Sequence, residues 1–94
     1  MPTNVEAAYR AISGNSRLLT LRYVLDHPNS TVLEIAEATG VSPASARVSL
    51  FDLENAGYVT VDVDGKRNGI SVHYSVNRPQ FVDDVTQLWA WIIR

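Results

Sequence analysis

Apolar and polar residues recur along this chain with two periods, and the change falls near Tyr58. Before it, apolar positions return at helical spacing. Val5, Ala8, Tyr9 and Ile12 stand at i, i+3, i+4 and i+7, one stripe on a short first helix. Thr3 and Glu6 have capping-box spacing ahead of that stripe, and Gly14 stops it. Asn15 or Ser16 can cap a second helix reaching about Asp26. Its Leu18, Leu19, Leu21, Tyr23, Val24 and Leu25 lie nearly all round, which predicts a central buried helix. His27-Pro28-Asn29 ends it, because the residue before a proline is pushed out of helical geometry. Thr31 and Glu34 repeat the capping-box spacing for a third helix, Val32–Thr39, with Val32, Ile35 and Ala36 turned inward and Gly40 closing it. Ser42-Pro43 opens a fourth, a serine cap followed by proline where a missing N–H costs nothing. That helix runs to about Ala56 with Ala46, Leu50 and Leu53 inward, and Gly57 terminates it.

Beyond Tyr58 the period is two. Val59, Val61 and Val63 alternate with Thr60, Asp62 and Asp64; Ile70, Val72, Tyr74 and Val76 alternate with Ser71, His73 and Ser75. Asp64-Gly65 and Asn68-Gly69 bracket the loop, so the segment reads as a half-buried antiparallel hairpin that Asn77-Arg78-Pro79 breaks. A last helix follows, with Phe81, Val85, Leu88 and Ile92 as its seam and Val82, Trp89 and Ile93 beside it. The order is α-α-α-α-β-β-α, mainly helical with one β-hairpin: a winged helix-turn-helix. The expected organisation is a single domain over 1–94, with the helix-turn-helix at 32–56, the wing at 58–76, and helices 4–13 and 80–93 available for dimerisation.

Length and composition narrow the picture. Ninety-four residues with 46% apolar content suit one small globular domain, whose surface-to-volume ratio favours burying a further face on a partner subunit. The chain contains no cysteine, which excludes disulfides, thiolate metal sites and cysteine nucleophiles. Neither a secretory signal pattern nor an apolar run of membrane-spanning length occurs, so a soluble cytoplasmic protein is expected. The formal net charge of −2 is not that of a strongly basic DNA binder. Its distribution matters more than its sum: Glu34, Glu37, Asp52 and Glu54 lie on the two helices of the motif, Lys66 and Arg67 sit side by side in the hairpin tip, and Arg17, Arg22 and Arg47 are scattered. Affinity per monomer should be modest and should depend on dimerisation.

The segments SRLLTLRYVL and IAEATGVSPASARVSLFDLENAGYV resemble the second helix and the helix-turn-helix of the ArsR-like winged-helix repressors, including the small Ala36, the turn Gly40 and the Leu53-x-x-x-Gly57 exit. The resemblance covers roughly residues 11–76. It implies DNA contacts from the outward, N-terminal positions of the fourth helix, Pro43, Ala44, Ser45, Arg47 and Val48, with the Ser42 cap near a phosphate. It also implies that Lys66, Arg67 and Asn68 lie near the backbone or minor groove, and that the first and last helices form a two-fold interface. Val5, Tyr9, Ile12, Phe81, Val85, Leu88, Trp89, Trp91 and Ile92 are the residues expected there. Two departures stand out. Metal-sensing relatives use cysteines on the third helix or Asp/His clusters on the last, whereas the histidines here, His27 and His73, lie elsewhere, and Asp83 with Asp84 do not make a transition-metal site. Val48 and Phe51 also occupy outward positions that are often polar in relatives.

Each candidate residue has a plainer reading beside it. Arg47 can contact a base or phosphate, or pair on the surface with Glu54 or Glu34. Lys66-Arg67 is a basic wing tip or a solvated turn. Ser45 is a fair donor to DNA, Ser49 reads as half-buried packing, and Ser42 is first a helix cap. His73 reads as an exposed strand histidine and His27 as a turn residue. The last helix is core cover or, given the wide stripe and two tryptophans, a subunit interface. No nucleophile elbow or phosphate loop is present, so catalysis is not expected. The expectation is a homodimeric, sequence-specific regulator of double-stranded DNA, a repressor with no cofactor or metal site and with any small-molecule effector unknown. Its alternative is a winged helix used as a protein-interaction module, and the two separate on whether the chain binds DNA in a salt-dependent way.

Overall fold

The computed structural model describes residues 1–62 and 72–94. Helices α1 (Thr3–Ser13), α2 (Asn15–Asp26), α3 (Val32–Thr39) and α4 (Pro43–Asn55) are followed by strands β1 (Val59–Val61) and β2 (Tyr74–Val76) and helix α5 (Arg78–Ile93). The expected order is reproduced. Val63, Lys66, Arg67, Asn68 and Ile70 lie outside the described residues.

The start of α3 follows its sequence signal. Glu34 N–H donates to Thr31 Oγ1 at 3.2 Å while Thr31 N–H donates to Glu34 Oε1 at 2.8 Å, a reciprocal capping box. The first-helix box does not form. Pro2 occupies the cap position in extended geometry, Thr3 is already helical, and no side chain caps the end. Likewise neither Asn15 nor Ser16 caps α2, because one residue, Gly14, links the two helices and takes the cap position itself. Arg17 reaches back across this link, its Nε donating to the Arg10 carbonyl at 2.8 Å, one of the carbonyls left free at the end of α1.

A main core lies where α2, α3, α4 and the hairpin meet, with Leu21, Val24, Ile35, Leu50, Leu53, Tyr58 and Val59 among its buried members. Helix α2 is not apolar-buried all round: Leu18 and Leu19 face solvent, since α1, α3, α4 and β2 cover one side of it only. A second cluster of Val5, Ala8 and Leu88, with Ile12 and Val85, joins α1 to α5. Tyr9, expected in that seam, is exposed.

The strands pair antiparallel with Val59 opposite Val76 and Val61 opposite Tyr74. The turn before α3 adds an unexpected element. Ser30 forms an isolated antiparallel bridge with Tyr74, its N–H donating to the Tyr74 carbonyl at 3.1 Å and its carbonyl accepting in return at 2.9 Å. The hairpin is thereby tied to the helix-turn-helix.

Candidate nucleic-acid interface

Helix α4 is held at both ends and along one side. At its start Ser42 Oγ accepts from the Ser45 amide at 3.1 Å, Pro43 has no amide to satisfy, and the Ser42 carbonyl accepts from Ala46 at 2.8 Å. At its end Gly57, with φ of 84°, allows the Tyr58 amide to donate to the Leu53 carbonyl at 3.0 Å and its own amide to donate to Glu54 at 3.0 Å. This is a Schellman closure, with Tyr58 and Leu53 in the same core cluster. Between the ends Ala46, Ser49, Leu50 and Leu53 are buried. Ser49 is thus fully inside, deeper than the half-buried position expected. On one flank Asp52 accepts a 3.7 Å ion pair from Arg17, the arginine that also binds the end of α1.

The solvent side of α4 includes the positions expected to contact DNA, and Phe51 and Asn55 besides. Ser42, Pro43, Ala44, Ser45, Arg47 and Val48 are all exposed. Arg47 makes no ion pair among the described residues, so neither Glu34 nor Glu54 claims it. The expected wing contacts Lys66, Arg67 and Asn68 lie outside the described residues.

At the base of the hairpin, Asp62 and His73 face each other. The His73 amide donates to Asp62 Oδ1 at 3.0 Å, His73 Nδ1 lies 3.0 Å from Asp62 Oδ2, and the Asp62 amide donates to the His73 carbonyl at 3.1 Å. His73, expected as an exposed strand histidine, is half-buried and paired with Asp62. The His73 backbone amide is the main reason the Asp62 carboxyl sits below the ordinary aspartate range, with the ring adding to it. Glu34 is lowered chiefly by the Thr31 amide and then by its hydroxyl, in the capping box. His27, expected as a turn residue, stacks on Tyr23 with ring centroids 4.3 Å apart.

A buried polar link was not foreseen. Tyr58 Oη donates to Asp84 Oδ2 at 2.8 Å, and Gln80 Nε2 donates to Asp84 Oδ1 at 3.1 Å. Asp84 on α5 is buried, and Tyr58, the first residue past the α4 closure, is fully covered and packs edge-on against Phe81 at 5.2 Å. Burial, then the Asp84 hydrogen bond, raises the Tyr58 phenol well above its ordinary value, so it stays a donor. The last helix is thus bonded to the exit of the fourth.

Of the residues expected at a subunit interface, Val5 and Leu88 are each only 3% exposed, spent on packing α1 against α5. Phe81 joins the main core, and Ile12 and Val85 are half-buried. Tyr9, Trp89, Trp91 and Ile92 are exposed, together with Val82 and Ile93. Trp91 lines a groove with Pro2, Val5, Gln87, Ala90 and Arg94, on another side of α5 from Trp89. A cavity of about 260 Å³ opens behind α4, lined by Ala7, Arg10, Ala11, Arg17, Asp52, Leu53, Asn55 and Ala56. Among the described residues no three His, Asp or Glu side chains gather as a metal site, and no helix is long and apolar enough to cross a membrane.

Known proteins share this arrangement. Residues 15–60 match the family model for winged helix-turn-helix DNA-binding domains. The probable mercury resistance operon repressor of Streptomyces lividans is 32% identical over 82 residues, covering 87% of this chain and 62% of that protein, so the chain spans less than two thirds of that relative's length. An ArsR-like transcriptional regulator from Rhodococcus superposes with a TM-score of 0.73 at 16% identity, over 93% of this chain and 77% of that one. The homodimeric winged helix-turn-helix DNA-binding domain of a possible ArsR-family regulator from Mycobacterium bovis superposes with a TM-score of 0.67 at 24% identity, over 93% and 78%. With residues 15–60 similar to that family model and these structures superposing over most of the chain, the chain has the winged helix-turn-helix fold.

Proposed function

We propose that this chain is a sequence-specific, double-stranded-DNA-binding transcriptional regulator. It acts in the cytoplasm as a homodimeric repressor, without a cofactor or a metal-sensing site. The observation that carries the reading is the solvent side of α4: a helix fixed by the chain's own core, with Ser42, Ser45, Arg47 and Val48 all exposed and Arg47 free of ion pairs among the described residues. In a winged helix-turn-helix such a helix enters the major groove, and two-fold related copies address successive turns of the duplex. Lys66, Arg67 and Asn68 are the proposed flanking contacts. Repression is favoured by the name of the Streptomyces relative, and dimerisation by the homodimeric Mycobacterium domain. Mercury sensing does not transfer to this chain's residues, since thiolates are the ligands that soft metals select and the chain has none.

Selection of bound duplexes from a random pool tests the reading, and a two-fold symmetric motif is the expected result. Arg47→Ala should then weaken the selected site by ~1–3 kcal/mol relative to non-specific DNA. Replacing Lys66 and Arg67 should weaken all sequences alike and flatten the salt dependence. The net charge of −2 and the exposed Val48 and Phe51 favour a second reading, a protein-interaction module that has lost DNA contact. A chain that binds neither heparin nor any duplex at low salt would establish that one.

A further inference from the structure

The line of α4 farthest from the core runs through Ala44, Val48, Phe51 and Asn55, at helical spacings of four, three and four. All four are exposed, Val48 by 62% and Phe51 by 64%, while the opposite line is the buried set Ala46, Ser49, Leu50 and Leu53. This outer ridge is what a partner entering along α4 meets first. Its first three members carry no side-chain donor or acceptor, and the exposed hydrogen-bonding side chains of the helix's N-terminal half, Ser45 and Arg47, stand to either side.

Resting on the proposal that α4 enters the major groove, we infer that the ridge Ala44–Val48–Phe51 reads thymine through its C5 methyl group. Of the base edges in that groove, thymine alone offers an apolar group; the others present only donors and acceptors. Covering cytosine N4 or guanine O6 with valine or phenylalanine removes their water and returns no hydrogen bond, so the same ridge rejects those bases. Charge points the same way. Arg47 is the single cation on α4 and the chain is net negative, so phosphate attraction is thin and discrimination falls on the groove contact. From Ala44 to Phe51 the helix rises ~10 Å, about three base-pair steps, which suits a short run of thymines in each half-site.

The test uses the intact wild-type chain and the duplex recovered by selection, with each thymine replaced singly by deoxyuridine. That change removes the methyl and keeps both the O4 acceptor and the pairing. By fluorescence anisotropy at fixed salt, one to three adjacent positions per half-site should each lose about fourfold in affinity, the worth of one buried methyl group. Val48→Ala or Phe51→Ala should bind less tightly and be indifferent to uracil at the matching position; both sites are exposed, so unchanged melting of the variants is expected. A selected duplex that is held equally well with every thymine replaced would overturn the inference and leave the regulator reading intact. Failure to enrich any duplex would remove the regulator reading itself. Variants that lose self-association, with uracil sensitivity unchanged, would assign the ridge to a second copy of the chain and also overturn the inference.

Discussion

Helices α4 and α5 both carry large apolar residues on their outside, yet they are anchored in opposite ways. In α4 every inward position, Ala46, Ser49, Leu50 and Leu53, is buried, and caps and an ion pair hold the ends and one flank. Helix α5 buries only Leu88 and Asp84, has no side-chain cap, and leaves Val82, Trp89, Trp91, Ile92 and Ile93 in solvent. The first helix is oriented by its own subunit before any partner arrives. The second displays more apolar surface than its subunit covers, which is how a face kept for association looks. Substitutions on the two should therefore fail differently.

The largest effect belongs to α4. Leu50→Ala empties a site that is 1% exposed and should cost ~2–5 kcal/mol of folding stability, read by denaturant or thermal unfolding. If the loss is under ~1 kcal/mol, α4 is not fixed by this core and its orientation is not preset. The matching change on α5, Trp89→Ala, removes a ring that is 63% exposed and should leave the folding of the isolated subunit unchanged. It should cost ~2 kcal/mol or more of self-association, as buried aromatic anchors do. Wild-type melting should rise with protein concentration and the variant's should not. Sedimentation showing the variant as tightly associated as the wild type would move the interface off the Trp89 face.

The contrast is blurred at one point, where Tyr58 and Asp84 join the exit of α4 to α5. Tyr58→Phe keeps the ring and its contact with Phe81 but leaves a buried carboxylate with one donor fewer, a cost of ~1–3 kcal/mol. If that link holds the reading end to the pairing end, the variant should also loosen α5 selectively, seen as faster amide exchange there than in α4. Equal loss in both helices would make Tyr58 an ordinary core residue.

Part of this was legible in sequence, and the failures have definite causes. Thr31-x-x-Glu34 and Thr3-x-x-Glu6 are the same pattern with different outcomes. In the first, Thr31 is itself the extended residue at the cap position and stands outside the helix; in the second, Pro2 takes that position and Thr3 is already helical. Gly40, Ser42-Pro43 and Gly57 acted where expected because each requires only its own local conformation. Leu18 and Leu19 were misplaced because periodicity reports that a position is apolar, not which side the core lies on. Tyr58 and Asp84 are 26 residues apart and no local rule joins them. Asp62 and His73 pair across a hairpin whose register cannot be read without its turn. At the candidate interface, exposure of Ser42, Pro43, Ala44, Ser45, Arg47 and Val48 followed from helical phase, whereas Lys66 to Asn68 rest on sequence alone.

The smallest effect concerns acid, and it separates two carboxylates that are lowered for different reasons. Glu34 and Asp62 both titrate below their ordinary values in the folded chain. A group lowered on folding adds stability that is present above its unfolded value, about 4, and lost as pH falls through the folded one. Glu34→Gln keeps a carbonyl for the Thr31 amide and removes the titration, so the melting temperature at neutral pH should barely move while its fall below about pH 4 becomes shallower. At the hairpin, the main cause of the Asp62 shift is the His73 backbone amide, which no substitution of the ring removes. Followed by carboxyl NMR, Asp62 should therefore stay below the ordinary range in His73→Ala, with only the imidazole's smaller share lost. Full return to the ordinary value would mean that the ring, not the backbone, fastens the base of the hairpin.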